Sequence, residues 1–365
     1  MPTPCLRRAV VWSGGDTRMS FMVQLAVRTL AAGLRASGFV VTLGSGARRL
    51  HATSSSGALA DLRDSRDLFV WVGIYDHILG IRDAKSLRAR GVLTAFYSTE
   101  SHEIWDKNCT VITALPVTEI WQYTHSNVAR CPAQRVGKPV RYVPPGYLPR
   151  ERMAAADDPR RSTLPQMQLR VLFLGGNRPA YDKRRRCLNM VSQGLLESAT
   201  ARAQKASHRC TAETHVSVSG RYTACPLQFA SDAYDDAAWD RYVAFAPYFL
   251  NVHKACNATA STSTAACESF RLSLLLAAGG IVFSEHCHPD DEAMYDGLVT
   301  FGDIGSLSST ILAVHATDAA AGDHGAARRA TRRAAFEARF APAVLFERAG
   351  LTALFATQSQ RCGDE

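Results

Sequence analysis

The stretch Glu268–Glu285, ESFRLSLLLAAGGIVFSE, decides the fold. Glu268, Arg271 and Leu275 are spaced three and four apart, so they share one face of a helix. Leu272, Leu274, Leu275 and Leu276 supply its buried surface. Gly279-Gly280 stops the helix and turns the chain. Ile281–Ser284 then reads as a strand, with Glu285 at its carboxyl end. A helix, a glycine turn and a short apolar strand form one repeat of a parallel α/β sheet.

The same alternation extends upstream to Leu169–Leu174, a strand ending in Gly175-Gly176. Arg184–Glu197 has helical spacing through Cys187, Met190, Val191 and Leu195. Strands follow at His215–Ser219 and Tyr248–Val252, with a helix at Asp235–Phe245 between them. Downstream come a strand at Leu298–Phe301 and a mostly helical tail, Gly325–Thr357, in which Pro342 starts a new helix.

Residues 1–148 repeat the plan. Strands are expected at Ala9–Ser13, Phe39–Leu43, Asp67–Ile74, Gly91–Tyr97, Thr118–Tyr123 and Val140–Val143. A helix is expected at Met19–Ser37 and a short one at Leu59–Asp64. Asp67–Ile74 is almost wholly apolar, as a strand covered on both faces would be. Between the halves, residues 149–166 lack periodicity and carry prolines, which reads as a linker. The expected fold is therefore α/β: two Rossmann-like, doubly wound domains facing a cleft. The first spans residues 1–148 and the second residues 167–340. Residues 341–365 follow as a C-terminal helix.

Composition narrows the class. The chain has 365 residues, with 47% hydrophobic and 21% charged, which suits folded globular domains. No apolar run reaches the roughly 18 residues a membrane helix needs. Two arginines precede only a four-residue apolar run at Ala9–Trp12, too short for a signal peptide. A cytoplasmic location is expected, and the sequons at Asn108 and Asn257 then read as chance matches. The ten cysteines show no CxxC pair and are expected to remain thiols in a reducing compartment. His286-Cys287-His288 reads as a loop after a strand, and no metal site is expected. The net charge of +9 lies in short clusters rather than on a basic stripe with interleaved aromatics, so nucleic acid is ranked last as a partner.

In an open parallel sheet, ligands sit beyond the carboxyl ends of the strands. Gly14, Gly15 and Asp16 follow the first strand, either cradling an acceptor or forming a plain turn with a cap. His77 and Glu100 follow the third and fourth strands as candidate general bases, or as polar turn residues. Tyr147, after Pro144-Pro145-Gly146, marks a hinge or cleft edge. In the second half, Gly175, Gly176, Asn177 and Arg178 are followed by Arg184. A glycine turn with cationic residues close behind suits a diphosphate. Asn251 and His253 end a strand. Glu268 reads two ways: as a carboxylate favoured at a helix start, or as an acceptor of sugar or ribose hydroxyls.

In this ordered pattern the sequence resembles glycosyltransferases of the GT-B fold, most closely the CgeB-like, glycosyl transferases family 1-like type. The motif runs Asn251-x-His253, Glu268-Ser-Phe-Arg271, Leu274-Leu-Leu-Ala-Ala-Gly-Gly280 and Ser284-Glu285, then Pro289-Asp-Asp291 and Gly297–Phe301. The first half matches only in its plan of strands. The resemblance implies a metal-independent transferase using a UDP- or GDP-linked sugar as co-substrate, with no resident cofactor. It places the donor at Gly175, Gly176, Asn177, Arg178, Arg184, Asn251, Glu268, Arg271, Ser284 and Glu285, and the acceptor, a glycan, protein or small molecule, on the first domain. His77, Glu100 or His253 would activate the acceptor, and by the same resemblance the C-terminal helix at 341–365 would pack back on the first domain. Leu276 stands where retaining members often carry a second glutamate, so the stereochemistry stays open. The alternative is a catalytically inactive protein of this fold that binds a nucleotide sugar or glycan.

Overall fold

The computed structural model describes residues 7–13, 20–45, 59–73, 78–102, 106, 108–148, 169–175, 182–197, 226–230, 246–254, 256, 265–322 and 325–360. The chain divides into two compact units, Met1–Leu148 with Ala338–Glu365, and Pro149–Glu337. The sequence-predicted linker, the strand at 215–219 and the helix at 235–245 lie outside the described residues.

The first unit is built on a six-stranded parallel sheet in the order β2-β1-β3-β4-β5-β6. Its strands are β1 (Arg7–Ser13), β2 (Phe39–Ser45), β3 (Leu68–Gly73), β4 (Leu93–Ser98), β5 (Glu119–Gln122) and β6 (Val140–Tyr142). Helices α1 (Ser20–Ala36), α2 (Ile78–Ala89), α3 (Thr110–Ala114), α4 (His125–Arg130) and α5 (Ala133–Val136) lie between them in the chain. Every residue of β3 is buried, because helices cover both faces of a central parallel strand.

The expected helix at Leu59–Asp64 is cut short: residues 59 and 60 are helical and helical geometry ends there. Side-chain carboxylates take the backbone donors instead. Asp67 accepts from Arg63 N–H at 2.7 Å and from Arg8 N–H at 2.9 Å, and Asp64 accepts from Arg66 N–H at 2.9 Å. Aspartates that bond the local backbone in this way compete with helix formation.

The second unit holds a five-stranded parallel sheet in the order β11-β10-β9-β7-β8. The strands are β7 (Val171–Leu174), β8 (Leu227–Ala230), β9 (Tyr248–Asn251), β10 (Ile281–Glu285) and β11 (Val299–Gly302). The helices are α6 (Asp182–Leu196), α7 (Ser269–Ala277), α8 (Pro289–Met294), α9 (Ile304–Ala320) and α10 (Ala326–Phe340), whose last turn, from Ala338, already belongs to the first unit. The chain order reverses at β7, which pairs with β8 on one side and β9 on the other. Such a switch point opens a crevice at the carboxyl edge. Cys187, Leu188, Val191 and Leu195 of α6 pack into a core with Phe173, Leu250 and Phe283.

Helices α11 (Pro342–Arg348) and α12 (Leu351–Gln360) belong to the first unit. Gly33 of α1 leaves room for them: a Cβ there would sit 2.4 Å from the Phe346 ring. Arg141 donates to the Ala349 carbonyl at 2.9 Å while forking onto Glu119 at 2.8 and 2.9 Å. Tyr147 N–H donates to the Phe340 carbonyl at 2.7 Å, so Tyr147 is a buried packing residue of this unit.

The cysteines correct the sequence reading. Among the described residues six are paired, as Cys109–Cys131, Cys187–Cys256 and Cys267–Cys287. All six are buried, and tertiary folding brings each pair together without any short spacing in the sequence. Disulfides persist in oxidising surroundings, so the expectation of reduced thiols gives way.

Candidate functional site

Parallel pairing puts the carboxyl ends of β7, β9 and β10 on one edge, with Ser284 level with Asn251. Asn251 Nδ2 donates to Ser284 Oγ at 2.9 Å, and Ser284 Oγ donates to the Glu285 carbonyl at 2.8 Å. Arg271 Nη1 donates to Asn251 Oδ1 at 2.6 Å. These bonds fasten the start of α7 to the ends of β9 and β10.

Helix α7 begins at Ser269 and every residue of it is buried. At its far end Gly279 takes a φ of +71°, and its N–H donates to the Leu276 carbonyl at 2.9 Å. Gly280 has no room for a side chain: a Cβ would lie 2.7 Å from the Phe249 ring. The glycine pair therefore ends the helix and feeds β10, and this fixes Arg271 relative to Glu285.

Glu268 stands at the N-cap position, yet its carboxylate makes no capping bond. It faces two guanidinium groups instead. Arg184 Nη2 lies 3.1 Å from Oε1 and Arg271 Nη2 lies 3.6 Å from Oε2. Arg184, on the first turn of α6, is itself buried and donates through Nε to the Val252 carbonyl at 3.0 Å. Both guanidinium carbons lie over the Phe173 ring, at 5.4 Å for Arg184 and 5.3 Å for Arg271. Gly175 completes the group, since a Cβ there would come within 3.2 Å of Arg271 Nη2.

The electrostatics follow from this packing. Burial pushes the Glu268 carboxyl up, but Arg271 and then Arg184 outweigh it and hold it at about 2. Burial raises Glu285 to about 8; a hydrogen bond from the His253 backbone N–H pulls the other way. Burial lowers His253 to about 4, with Glu268 opposing and Arg271 and Arg184 assisting. At neutral pH, among the described residues, Arg184 and Arg271 face one carboxylate with Lys254 nearby, while His253 and Glu285 are neutral, which leaves a surplus of positive charge. Among the described residues neither ring nitrogen of buried His253 makes a well-formed hydrogen bond, although the His286 backbone lies near enough to raise its pKa slightly. Buried polar atoms are nearly always satisfied, so such an orphan calls for an explanation.

The sequence-predicted donor residues Gly175, Arg184, Asn251, Glu268, Arg271, Ser284 and Glu285 thus meet at one edge of one sheet, with His253 among them. Gly14, Gly15, Asp16, His77, Gly176, Asn177 and Arg178 lie outside the described residues. Glu100 follows β4, where its carbonyl accepts from Ser98 Oγ at 3.1 Å and Asn127 Nδ2 at 2.9 Å. The sequence reading missed His102 close by. This buried imidazole meets Gln122 Nε2 at 2.7 Å, and its backbone N–H donates to Asn127 Oδ1 at 2.9 Å. Burial lowers its pKa to about 4. Only the pairing of β4 with β5 brings Gln122 to it.

Residues 286–288 have structural partners. His286 Nδ1 is 3.0 Å from Glu292, Cys287 is in a disulfide, and His288 accepts from Asp290 N–H.

No family model matches the chain, and no curated protein matches it. Solved structures do. Sucrose-phosphate synthase from Thermosynechococcus elongatus superposes with a TM-score of 0.55 at 13% identity, over 97% of this chain and 100% of that one. A UDP-forming alpha,alpha-trehalose-phosphate synthase from Burkholderia vietnamiensis gives 0.55 at 12% identity, over 99% of each chain. An alpha-glucosyltransferase in complex with UDP-glucose and DNA containing an abasic site gives 0.56 at 11%, over 92% and 95%. Among the described residues no helix is long and apolar enough to cross a membrane. The likeness establishes the architecture: the chain is built from the Rossmann-like α/β units of the GT-B glycosyltransferase fold.

Proposed function

We propose that the protein is a glycosyltransferase that takes its sugar from a nucleoside-diphosphate donor bound at the carboxyl edge of the second unit's sheet. One observation carries this reading: Arg184 and Arg271 converge on Glu268 beside Gly175, at the switch between β7 and β9. Their surplus positive charge suits a diphosphate, and Gly175 lets a ligand approach the backbone closely. When the glycosidic bond breaks, charge builds up on the departing diphosphate. Two guanidinium groups held on Phe173 stabilise that charge without reorganising. The similar structures include one named as UDP-forming and one with UDP-glucose bound, which favours a UDP-linked donor.

His253 supplies the second element. Its neutral ring, without a well-formed hydrogen bond among the described residues, can take a hydroxyl proton or donate to one. Glu285 is protonated at neutral pH and can donate from its carboxyl to a sugar oxygen while accepting from His253 N–H. Glu268, ionised and about a fifth exposed, accepts hydroxyls of the ribose or sugar. The chemistry requires no resident cofactor. The acceptor is a hydroxyl compound, assigned to the first unit.

A second reading has one specific support. Leu276 is fully buried, near the place where, by the resemblance, retaining members of this fold often carry a second glutamate. The protein would then bind a nucleotide sugar without transferring it. Incubation with UDP- and GDP-sugars, with and without a panel of hydroxyl acceptors, separates the two. Release of UDP or GDP that is lost in Arg271→Ala supports transfer. Tight binding with no release favours the binding protein, and the absence of both overturns either reading.

A further inference from the structure

Two disulfides grip the elements that build the candidate site. Cys267 immediately precedes Glu268, and Cys287 lies two residues after Glu285; the bond between them closes the ring that contains α7 and β10. Cys187 follows Arg184 by three residues on α6, and its partner Cys256 follows His253 by three. Each bond therefore joins one segment that carries an arginine or Glu268 to another that carries His253 or Glu285.

The grip matters most at Glu268. This residue ends an irregular approach to α7, and its carboxylate makes no capping bond to hold it. Arg184 and Arg271 are fixed by Val252, Asn251 and Phe173, whereas Glu268 is about a fifth exposed and meets them only while its backbone holds its carboxylate within reach. A backbone bond from His288 N–H to the Ala265 carbonyl at 3.0 Å also ties the same two segments. Both sulfurs are within buried residues, so a reductant reaches them only when the segment opens.

We propose that Cys267 and Cys287 are positioning residues of the donor site: their disulfide holds Glu268 and Glu285 in register across Arg184 and Arg271, and nucleotide binding requires it. The proposal rests on the donor reading above. Closing the bond removes two electrons and two protons from two thiols. A small-molecule or protein disulfide takes them up and leaves as two thiols. The site is therefore completed only where the chain folds in contact with such an oxidant.

The test uses the full chain, purified without reductant, and its Cys267→Ser/Cys287→Ser and Cys109→Ser/Cys131→Ser double variants. UDP and GDP are the probes, titrated calorimetrically, and hydrogen exchange is followed over residues 265–292. The expected result is a nucleotide Kd at least tenfold weaker in the Cys267/Cys287 variant, with faster exchange at the start of α7 and thermal unfolding still cooperative. The Cys109/Cys131 variant loses thermal stability but keeps its Kd within twofold. Wild-type affinity and wild-type exchange in the Cys267/Cys287 variant would overturn the proposal, as would peptide mapping that finds both cysteines as thiols in the purified protein. If the oxidised wild type binds neither nucleotide, the donor reading fails, and the exchange comparison alone decides whether the bond positions Glu268.

Discussion

Arg184 and Glu268 are 84 residues apart in sequence, yet their side chains meet at 3.1 Å, with the arginine fully buried and the carboxylate partly open. Arg271 approaches the other carboxylate oxygen from the following helix turn. Two cations and one anion brought together at low exposure are stable only as a set. Removing the anion leaves the cations to repel one another.

Glu268→Gln is therefore expected to destabilise the free protein by about 3 kcal/mol, the size typical of breaking a buried pair. A nucleoside diphosphate supplies replacement negative charge. The thermal shift produced by saturating UDP should be larger in the variant than in the wild type, once each is corrected for its affinity. An equal or smaller shift would argue that the diphosphate does not reach these arginines.

The pH dependence has a defined sign. Glu285 sits at about 8 in the folded protein, above the usual carboxylate range, so the folded state binds more protons than the unfolded state between about 4.5 and 8. Its contribution falls as pH rises through that window. His253 and Glu268 are lowered, to about 4 and about 2, so their contributions are lost as pH falls, from about 6.5 for His253 and from about 4.5 for Glu268. Glu285→Gln should flatten the decline in Tm between pH 6.5 and 8 and leave the acid limb in place. A variant that declines in parallel with the wild type over that range would count against the assignment.

Gly175→Ala places a Cβ within 3.1 Å of the Phe173 ring and 3.2 Å of Arg271 Nη2. The guanidinium must yield, because the ring is held in the core. A loss of about tenfold in nucleotide affinity, or about 1.4 kcal/mol, is expected with a smaller change in stability. Equilibrium titration beside a thermal melt distinguishes this from general unfolding.

Much of this architecture is legible in the sequence because apolar runs and glycine turns mark it. The segments ESFRLSLLLAAGGIVFSE, LFVWVG and VLFL appear as helix and strands within a residue or two of expectation. Spacing within the segment also puts Glu268 and Arg271 on one helical face. What the sequence hides is long-range. Nothing local tells that Arg184 turns inward while Arg185 is half-exposed on an ion pair with Asp182. His102 is invisible for the same reason, since its partners arrive from β5 and α4. The cysteine pairs carry no spacing signal, and they overturned the expectation of free thiols.

The first unit offers a packing test. Gly33→Ala drives a Cβ to 2.4 Å from the Phe346 ring, so α1 or α11 must shift. Overpacking of this kind costs about 1–3 kcal/mol. Limited proteolysis should cut the segment after residue 340 sooner in the variant, while nucleotide affinity, a property of the other unit, stays unchanged.

The cluster of Arg184, Glu268 and Arg271 is proposed to bind a nucleoside diphosphate. Calorimetric titration of the oxidised full chain with UDP and GDP, repeated on Arg271→Ala, tests it most directly. The expected result is saturable binding of at least one nucleotide by the wild type and a loss of at least tenfold in the variant. No binding by the wild type, or equal affinity in the variant, would contradict it.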